Sequence, residues 1–576
     1  MFQVKKFDTF SESIEKLVLA KSSLESAQSW CLTKYLSELK VQSYVVESDY
    51  TDAGYLLDYA NYYSRCHSEY KRSTHRIHYF SLSSTALAQK LKESLESGTF
   101  PQEVQTHYQG FVVVKPLPQT IIGRTCLRTY DEIDPKSKRR RVYPLLRKYT
   151  ASLFGIELEI ESIAFQEQDK ETAACATAAI WYALHGLPKK ITTQEIPSPF
   201  EITNISSSTF IKRTVGDVAR RFPTGGLGLE QIESYLRTLG LECIVCGIKT
   251  EELQEKLKDY LASYVQAGYP MIIVGNMYVS NSSDKNFRHL GLHAITALGY
   301  AHTEKFDSGN QSKRIERLFA HDDNVGPFTS FHFETCDLGQ FTEYLKSDIT
   351  PIKPKMHFGA GAKENGIPIN QGTGQEGSVT GYLSNRSGRP NVGVTDRKFV
   401  PGYLIIPING KIRLPYEIVH TFARQISLAY ERKKSVWFEA GKSHSISWSI
   451  NLVEVSKLKA DLWKAKGIKK DSDFSRLLQI SMPKYIWRLN FSTLIAGEEL
   501  SWVDFLIDAT DLLQGGGVLA ALKHDLNDGS EPFLSLIIAS VREWITRYPD
   551  QVLPQVYPLL QTIEKTFRTP EVNLQN

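Results

Sequence analysis

The sequence predicts an α+β protein of several domains, and three observations lead to this fold class. A chain of 576 residues is longer than one hydrophobic core supports, so we expect about three or four domains. Hydrophobic residues at 41% and charged residues at 23% are typical of a globular protein. Runs with helical periodicity alternate with short strand-like runs, and glycine and proline separate them.

Composition along the chain predicts four segments. Residues 1–155 are predicted to form an N-terminal α/β accessory domain, with strands such as SYVVESDY and GFVVVKPLP. Residues 156–345 are predicted to be the central domain, and 399–576 a C-terminal α/β accessory domain. The segment 346–398 contains HFGAGAKENGIPINQGTGQEGSVTG, where glycine is frequent and apolar periodicity is lost. We interpret this segment as a flexible loop or linker.

The elements of the last three segments can be predicted in order. The central domain opens with the strand IELEIESIAF, a cysteine-bearing helix and the amphipathic helix GGLGLEQIESYLRTLG, which glycines bracket. The strands LECIVCGI, PMIIVGNMYV, GLHAITALGYA and IERLFAHDD follow. After the linker come the strand GYLIIPI, a helix at YEIVHTFARQISLAYERKK and the strand SHSISWSINLVEV. Helices are predicted to close the chain.

Charge and cysteine content limit the functional classes. The formal net charge of +4 neither requires nor excludes nucleic acid. We interpret the basic run KSKRRR, Lys136 to Arg141, as a solvated loop, with nucleic-acid contact as the alternative. Seven scattered cysteines do not form a disulfide pattern, and neither a secretory signal nor an apolar run of about 18 residues is found. A cytoplasmic protein without membrane contact is therefore expected.

The stretch FQEQDKETAACATAAIWYALHG, residues 165–186, carries the first candidate functional residue. Thr172 is a suitable N-cap, which would place Cys175 at the third position of a helix that stops near Gly186. A thiol in the first turn is close to the positive end of the helix, which favours the thiolate. The alternative is a buried core cysteine, because AACATAAI is also typical of a core helix.

Partners for a thiolate occur further along the chain. His293 lies in the strand-like run HAITALGY and could act as base, while His289 is the weaker candidate. Asp322 or Asp323, at the end of the strand in RLFAHDDNVG, could orient the imidazole. The alternatives are a structural histidine and an Asx turn. Without a third and fourth ligand the two histidines do not indicate a metal site.

A second pair of cysteines, Cys243 and Cys246 in CIVC, is interpreted as structural. Three residues apart in a strand, their side chains point to opposite faces, and the sequence has no second cysteine pair to complete a zinc site. The sequence therefore predicts no metal and no cofactor.

Four elements in this order resemble the papain-like cysteine peptidases. Within them the match is closest to bacterial relatives of bacteriocin-leader-processing peptidases. The matching stretches are QDKETAAC, GGLGLEQIESYLRTLG, HAITALGY and HDDNVG, within about residues 160–330. The resemblance implies a papain-like domain in which the cysteine-bearing helix packs on an antiparallel sheet. The chain differs from the family in having Ala176 where glycine is usual, and one extra residue between Gln168 and Cys175.

The resemblance also implies a role for each candidate residue. Cys175 would be the nucleophile and His293 the general base. Asp322, four residues before Gly326, would be the orienting acid, with Asp323 as the alternative. The Gln168 amide and the Cys175 backbone N–H would stabilise the oxyanion.

Three functions follow from this set of residues. The first is a cysteine peptidase or isopeptidase-like thiol hydrolase acting on a protein or peptide. The second is a papain-like scaffold that binds a protein or nucleic-acid partner without catalysis. The third is acyl transfer or transglutamination by the same triad. The flanking domains suggest a regulatory protein partner, because they exceed what a small peptidase requires.

Overall fold

The computed structural model describes residues 3–18, 21–169, 174–188, 195–208, 226–249, 252–281, 288–337, 379–389, 393–437, 445–464, 475, 478–495, 497–511, 517–524, 533, 535–540 and 543. The chain divides into two compact units. Unit 1 comprises Met1–Leu257, Gly268–His302 and Glu316–Pro407, and unit 2 comprises Lys258–Ala267, Thr303–Ile315 and Ile408–Asn576. Both units combine helices with sheets that are antiparallel except for one short pair, so the α+β class predicted from sequence is confirmed.

Helices and strands are numbered in chain order. The α-helices are α1 (Phe10–Ile14), α2 (Ala27–Glu38), α3 (Ala53–Asn61), α4 (Ser84–Ser97), α5 (Gln102–Thr106), α6 (Cys175–Gly186), α7 (Pro199–Ser206), α8 (Leu229–Thr238), α9 (Leu253–Tyr260), α10 (Tyr416–Trp437) and α11 (Val455–Lys464). The strands are β1 (Val4–Lys6), β2 (Ser43–Tyr50), β3 (Thr74–Phe80), β4 (Tyr108–Val114), β5 (Ile122–Leu127), β6 (Arg140–Val142), β7 (Arg147–Leu153), β8 (Ile156–Ser162), β9 (Glu242–Gly247), β10 (Met271–Asn281), β11 (Arg288–His302), β12 (Gly309–Asn310), β13 (Ile315–Asp322), β14 (Gly326–Asp337), β15 (Val379–Arg389), β16 (Gly393–Ile408), β17 (Ile446–Glu454), β18 (Tyr485–Ile495), β19 (Glu498–Asp508) and β20 (Val518–Lys523).

Unit 1 contains two large sheets. The first is antiparallel in the order β1-β2-β3-β4-β5. In the second, the order is β10-β11-β13-β14-β15-β16-β9, and β10 also pairs with β16. Because of this additional pairing, β10, β11, β13, β14, β15 and β16 close on themselves, so none of these six is an edge strand.

Helix α6 packs against strand β11 of the closed sheet. Every residue of α6 after the first is buried, and its alanines let the helix approach the sheet closely. Thr296 Oγ1 on β11 donates a hydrogen bond of 2.8 Å to the carbonyl oxygen of Ala179 on α6. The helix ends at Gly186, as predicted, and its residue Trp181 is buried. This packing holds the start of α6 beside the middle of β11.

Two features of unit 1 differ from the predicted segments. Strand β15 and the first part of β16 lie within 346–398, which was predicted to be a linker; the rest of that segment lies outside the described residues. Their many polar and small residues hide the alternation in the sequence, and the strands are defined by their pairing with β14 and with each other. In addition, the β7–β8 hairpin crosses position 155, where the first domain was predicted to end.

Unit 2 is built on the sheet β12-β17-β18-β19-β20. Strand β12 is parallel to β17 and the other pairs are antiparallel. Its helix α11 covers the sheet through a small apolar cluster: Leu458, Leu462, Ile486, Leu506, Ala520 and Leu522. The prediction that helices close the chain misses β18, β19 and β20. Among the described residues of the whole chain, no helix is both long enough and apolar enough to span a membrane.

Candidate active site

Cys175 is the first residue of α6. The preceding residue, Ala174, is the N-cap, with extended backbone angles of φ −93° and ψ 170°. The predicted N-cap Thr172 lies outside the described residues, and the third helical position predicted for Cys175 is wrong. Ala174 has no side-chain acceptor, so the cap is completed by Thr177, whose Oγ1 accepts the Ala174 N–H at 3.4 Å. The thiol is half-buried at the positive end of the helix.

His293 lies on β11 and is buried, and its imidazole interacts with the Cys175 side chain. Its Nε2 is 2.9 Å from Asp322 Oδ1, and its Nδ1 is 3.4 Å from the side-chain nitrogen of Asn324. Because Asp322 engages Nε2, the ring presents Nδ1 to its other neighbours. The structure therefore brings three of the predicted residues, Cys175, His293 and Asp322, into one contiguous set.

The turn between β13 and β14 fixes the position of Asp322. Asp322 is the last residue of β13, and its Oδ1 also accepts the backbone N–H of Asn324 at 3.0 Å. The Val325 N–H donates to the Asp322 carbonyl at 2.9 Å and closes the turn. The predicted Asx turn and the predicted orienting acid are thus the same residue, since one carboxylate oxygen serves both contacts.

Charges at the site support a protonated imidazole. Burial by itself lowers the pKa of His293, but the charge and hydrogen bond of Asp322, the hydrogen bond with Cys175 and the charge of Asp323 together raise it well above its ordinary value. Burial also acts to raise the pKa of Asp322, but His293, Arg397 and the Asn324 N–H bring it below its ordinary value. The two groups therefore form a buried ion pair.

Asp323, the alternative acid, has a different environment. Its Oδ1 is 3.8 Å from His293 Nε2, which is too long for a hydrogen bond. Neither of its carboxyl oxygens has a hydrogen-bond partner among the described residues. Burial, with the neighbouring charge of Asp322, raises the pKa of Asp323 to about 7, against the opposing effects of His293 and Arg397. Of the two acids, Asp322 has the geometry of an orienting group.

Gln168 lies in a segment that is anchored on both sides. The Glu167 N–H donates to the Ile122 carbonyl at 2.9 Å, and the Ile122 N–H donates to Glu167 Oε2 at 3.2 Å. On the other side, the hydroxyl of Tyr63 donates to Asp169. The Gln168 side chain is half-buried and has no hydrogen bond within the described part of the chain. Its predicted oxyanion role stays a prediction, because residues 170–173, which connect it to α6, lie outside that part.

Helix α2 and a second histidine support the β13–β14 turn. A Cβ on Gly326 would lie 2.7 Å from Cys31 Sγ of α2, so only glycine fits there without a shift. Gln28 donates to the Asp323 carbonyl at 3.1 Å. His321 contacts the Ile163 carbonyl through Nε2 at 3.1 Å and accepts the Phe328 N–H at Nδ1. Burial lowers the pKa of His321 to about 3, so this ring is neutral and structural.

The remaining sequence candidates lie outside this set. His289 contacts Asn276 Oδ1 through Nε2 at 3.1 Å. Cys243 and Cys246 are free thiols on β9, and both are half-buried. The arginines of the basic run face acids within the chain: Arg139 pairs with Glu316, Arg140 with Glu132 and Arg141 with Asp134.

Three residues at the site escape prediction from sequence. Asn324 follows HDD directly, so its proximity to the imidazole could have been inferred from the turn. Glu167 is buried by residues far away in sequence, and burial raises its pKa to about 7. Arg397 lies on β16 and acts electrostatically on both aspartates. No local pattern marks either of these two, since closure of the sheet brings Arg397 to the site.

Comparisons with family models, with curated proteins and with solved structures return no match to this chain. The geometry of the site is therefore the basis for a functional assignment. It defines a thiol at a helix N-terminus, an imidazole in contact with it, and a carboxylate that holds the far nitrogen of the imidazole.

Proposed function

We propose that the chain is a cysteine peptidase or isopeptidase-like thiol hydrolase. The observation that carries the proposal is that His293, whose Nε2 is 2.9 Å from Asp322 Oδ1, also interacts with the side chain of Cys175. This is the arrangement of nucleophile, base and orienting group that acyl-transfer chemistry requires. The substrate class is a protein or peptide amide, which is the bond type that such a triad cleaves.

The reaction follows from the proton positions. The sulfur of Cys175 attacks as the thiolate, with its proton already on His293 Nδ1, and forms a bond to the substrate carbonyl carbon as the carbonyl electron pair moves to oxygen. Collapse of this intermediate breaks the C–N bond, and the departing amine takes the proton from Nδ1. Water then attacks the thioester carbon and His293 takes one of its protons. Breaking of the C–S bond releases the carboxylic acid and returns the thiolate of Cys175 beside the protonated His293. Asp322 stabilises the imidazolium at the first attack and again when water attacks.

The oxyanion needs donors beside the sulfur. The backbone N–H of Cys175 is at the start of α6, where helix N–H groups have no partner within the helix. We assign the second donor to the Gln168 side chain, which the anchored segment 166–169 carries and which has no competing hydrogen bond among the described residues. Loss of one such donor typically costs about 10²–10³ in kcat.

The same proposal extends to the fold. A helix that begins at the cysteine and packs on an antiparallel sheet, with the histidine and the acid on two adjacent strands, supports a papain-like domain. The order Cys175, His293, Asp322 along the chain agrees with this assignment. The sheet here closes through β16, which lies beyond the segment that the resemblance covers.

An electrophilic peptide probe tests the function directly. A peptidyl acyloxymethyl ketone should label the wild-type protein at Cys175, and peptide mapping should locate the adduct there. Cys175→Ala should abolish labelling, whereas the matched variant Cys246→Ala, which removes a half-buried thiol of β9, should label normally. A wild-type protein that is not labelled faster than Cys175→Ala would favour a scaffold that binds partners without catalysis. Product formation that depends on an added amine would instead indicate acyl transfer.

A further inference from the structure

The carboxyl group of Asp323 is buried without a hydrogen bond. Its residue is 1% exposed, and neither oxygen has a partner among the described residues; the same is true of Asp322 Oδ2. Buried polar atoms are paired in the great majority of cases, and a buried carboxylate without a partner is costly. Three unpartnered carboxylate oxygens at one place indicate that something else binds there.

These carboxylates converge with an imidazole nitrogen. Three potential ligand atoms lie within 4.8 Å of one another, one each from His293, Asp322 and Asp323. The Nε2 of His293 is 2.9 Å from Asp322 Oδ1 and 3.8 Å from Asp323 Oδ1. Ligand atoms of a tetrahedral zinc ion, at bond lengths of about 2.0–2.1 Å, lie roughly 3.3 Å apart. The two separations from Nε2 bracket that value, and the two carboxylate oxygens lie within 4.8 Å of each other.

We propose that His293, Asp322 and Asp323 form a binding site for a divalent transition-metal ion of the zinc type, and that the bound ion switches off the thiol chemistry. The regulatory part rests on the proposed function, whereas the binding site does not. One imidazole and two carboxylates are a donor set suited to such ions. Ca²⁺ requires six to eight oxygen ligands and Mg²⁺ an octahedral shell with several waters, which three buried side chains do not supply.

Metal binding and catalysis compete for the same nitrogen. Nε2 is the ring nitrogen that Asp322 Oδ1 holds at 2.9 Å. A metal ion at Nε2 takes the place of this contact, and the proton of the neutral ring then lies on Nδ1. The ring can then no longer form the imidazolium that protonates the leaving amine, because giving up the Nδ1 proton would leave an imidazolate. Asp322 is also drawn away from its orienting role.

Charge at the site is compatible with reversible binding. Two carboxylates attract a divalent cation, and release of the Nε2 proton removes one positive charge. Arg397 acts on both aspartates and opposes the cation. The two carboxylates therefore attract the metal ion while the Arg397 guanidinium repels it, which weakens its binding. Weak binding suits an inhibitory ion that dissociates again rather than a permanent structural metal.

Calorimetric titration of the full chain with Zn²⁺, without substrate, tests the site. The wild type should bind one ion. Asp323→Asn should weaken binding by at least about tenfold, since even loss of an outer-shell partner of a metal typically costs that much. His293→Gln should do the same, whereas the matched variant Asp307→Asn, at an exposed aspartate, should bind like the wild type. Thermal melting without metal verifies that each variant is folded.

Cys175→Ala identifies the ligands and separates the two proposals. If the ion is held by His293 and the two aspartates, Cys175→Ala should retain Zn²⁺ binding within about threefold, less than the loss of a ligand would cost. Loss of binding in Cys175→Ala, unchanged binding in Asp323→Asn, or no binding by the wild type would each overturn the site. Because this readout needs no catalysis, a protein that binds Zn²⁺ but does not label with the peptide probe would contradict only the proposed function.

Discussion

Asp322 Oδ1 accepts hydrogen bonds both from His293 Nε2 and from the backbone of Asn324. One carboxylate oxygen therefore ties the imidazole to the β13–β14 turn. The contact with Asp322 occupies Nε2 and leaves Nδ1 as the ring nitrogen available to Cys175. It also raises the pKa of His293, and together with Cys175 and Asp323 it outweighs the lowering of that pKa by burial. The predictions below follow from this relationship and from the packing that maintains it.

Asp322 should position the His293 ring, and its negative charge should raise the pKa of His293. Asp322→Ala removes the acceptor and should lower kcat/KM by roughly 10²-fold or more, as expected for loss of an oriented base. Asp322→Asn keeps an acceptor oxygen and should lose less. Without the carboxylate charge the pKa of His293 falls, so the basic limb of the kcat/KM profile should move to lower pH. A basic limb that stays in place in Asp322→Asn would contradict this electrostatic role.

The close approach of Gly326 to Cys31 should leave no room for a larger side chain at position 326. Gly326→Ala places a Cβ 2.7 Å from Cys31 Sγ, and overpacking of this kind typically costs about 1–3 kcal/mol of unfolding free energy. Cys31→Ala removes the sulfur, so the double variant should lose less stability than the two single losses added together. Chemical denaturation of the four proteins measures the coupling. Additive losses in the double variant would show that the two side chains do not clash.

Stability should depend on pH through Glu167. Burial raises its pKa from 4.5 to about 7, so between these values the folded state holds a proton that the unfolded state has released. Stability therefore falls as pH rises through this range. Glu167→Gln removes this dependence and keeps an acceptor for the Ile122 N–H, so its advantage over the wild type should grow with pH toward on the order of 3 kcal/mol.

Denaturation of Glu167→Gln and wild type at about pH 5 and about pH 8 measures this difference. Glu161→Gln, at an exposed position of β8, is the matched control and should show no change with pH relative to the wild type. An advantage of Glu167→Gln that is the same at both pH values would contradict a raised pKa for this carboxyl.

The hydrogen bond from Thr296 to Ala179 should hold α6 on β11. Thr296→Val preserves the side-chain shape but removes the 2.8 Å contact, so it should cost about 1 kcal/mol of unfolding free energy. Thr150→Val, at an exposed position of β7, is the control and should cost little. Because α6 carries Cys175, labelling of Thr296→Val by the peptide probe should also slow. Equal stability of the two variants would show that this contact does not anchor the helix.

The sequence predicts those parts of the fold and site that depend on local pattern. Strands β2, β4, β5, β8, β10, β11 and β13 match apolar or alternating runs, and α8 matches its glycine-bracketed amphipathic run. Cys175, His293 and Asp322 stand out because each occupies a helix start, an apolar strand or a strand end. The resemblance of their order to that of a known peptidase family then predicts that they converge.

The parts that the sequence does not predict depend on distant neighbours. Strand β15 and the first part of β16 fall in a segment rich in glycine and polar residues, and their pairing closes the sheet only in three dimensions. Glu167 looks like an ordinary surface acid in the sequence, yet it is buried. The helix begins at Cys175, two residues later than the predicted N-cap Thr172 implies, because the backbone of Ala174 is extended.

The contact between Cys175 and His293 is tested most directly by the rate at which iodoacetamide alkylates Cys175 near neutral pH. Cys246 in the same molecule serves as the internal reference, because it is also a half-buried free thiol. We predict that Cys175 reacts faster than Cys246 in the wild type. His293→Ala should slow Cys175 by roughly 10²-fold while leaving Cys246 unchanged. Equal alkylation of Cys175 with and without His293 would contradict a nucleophile activated by this imidazole.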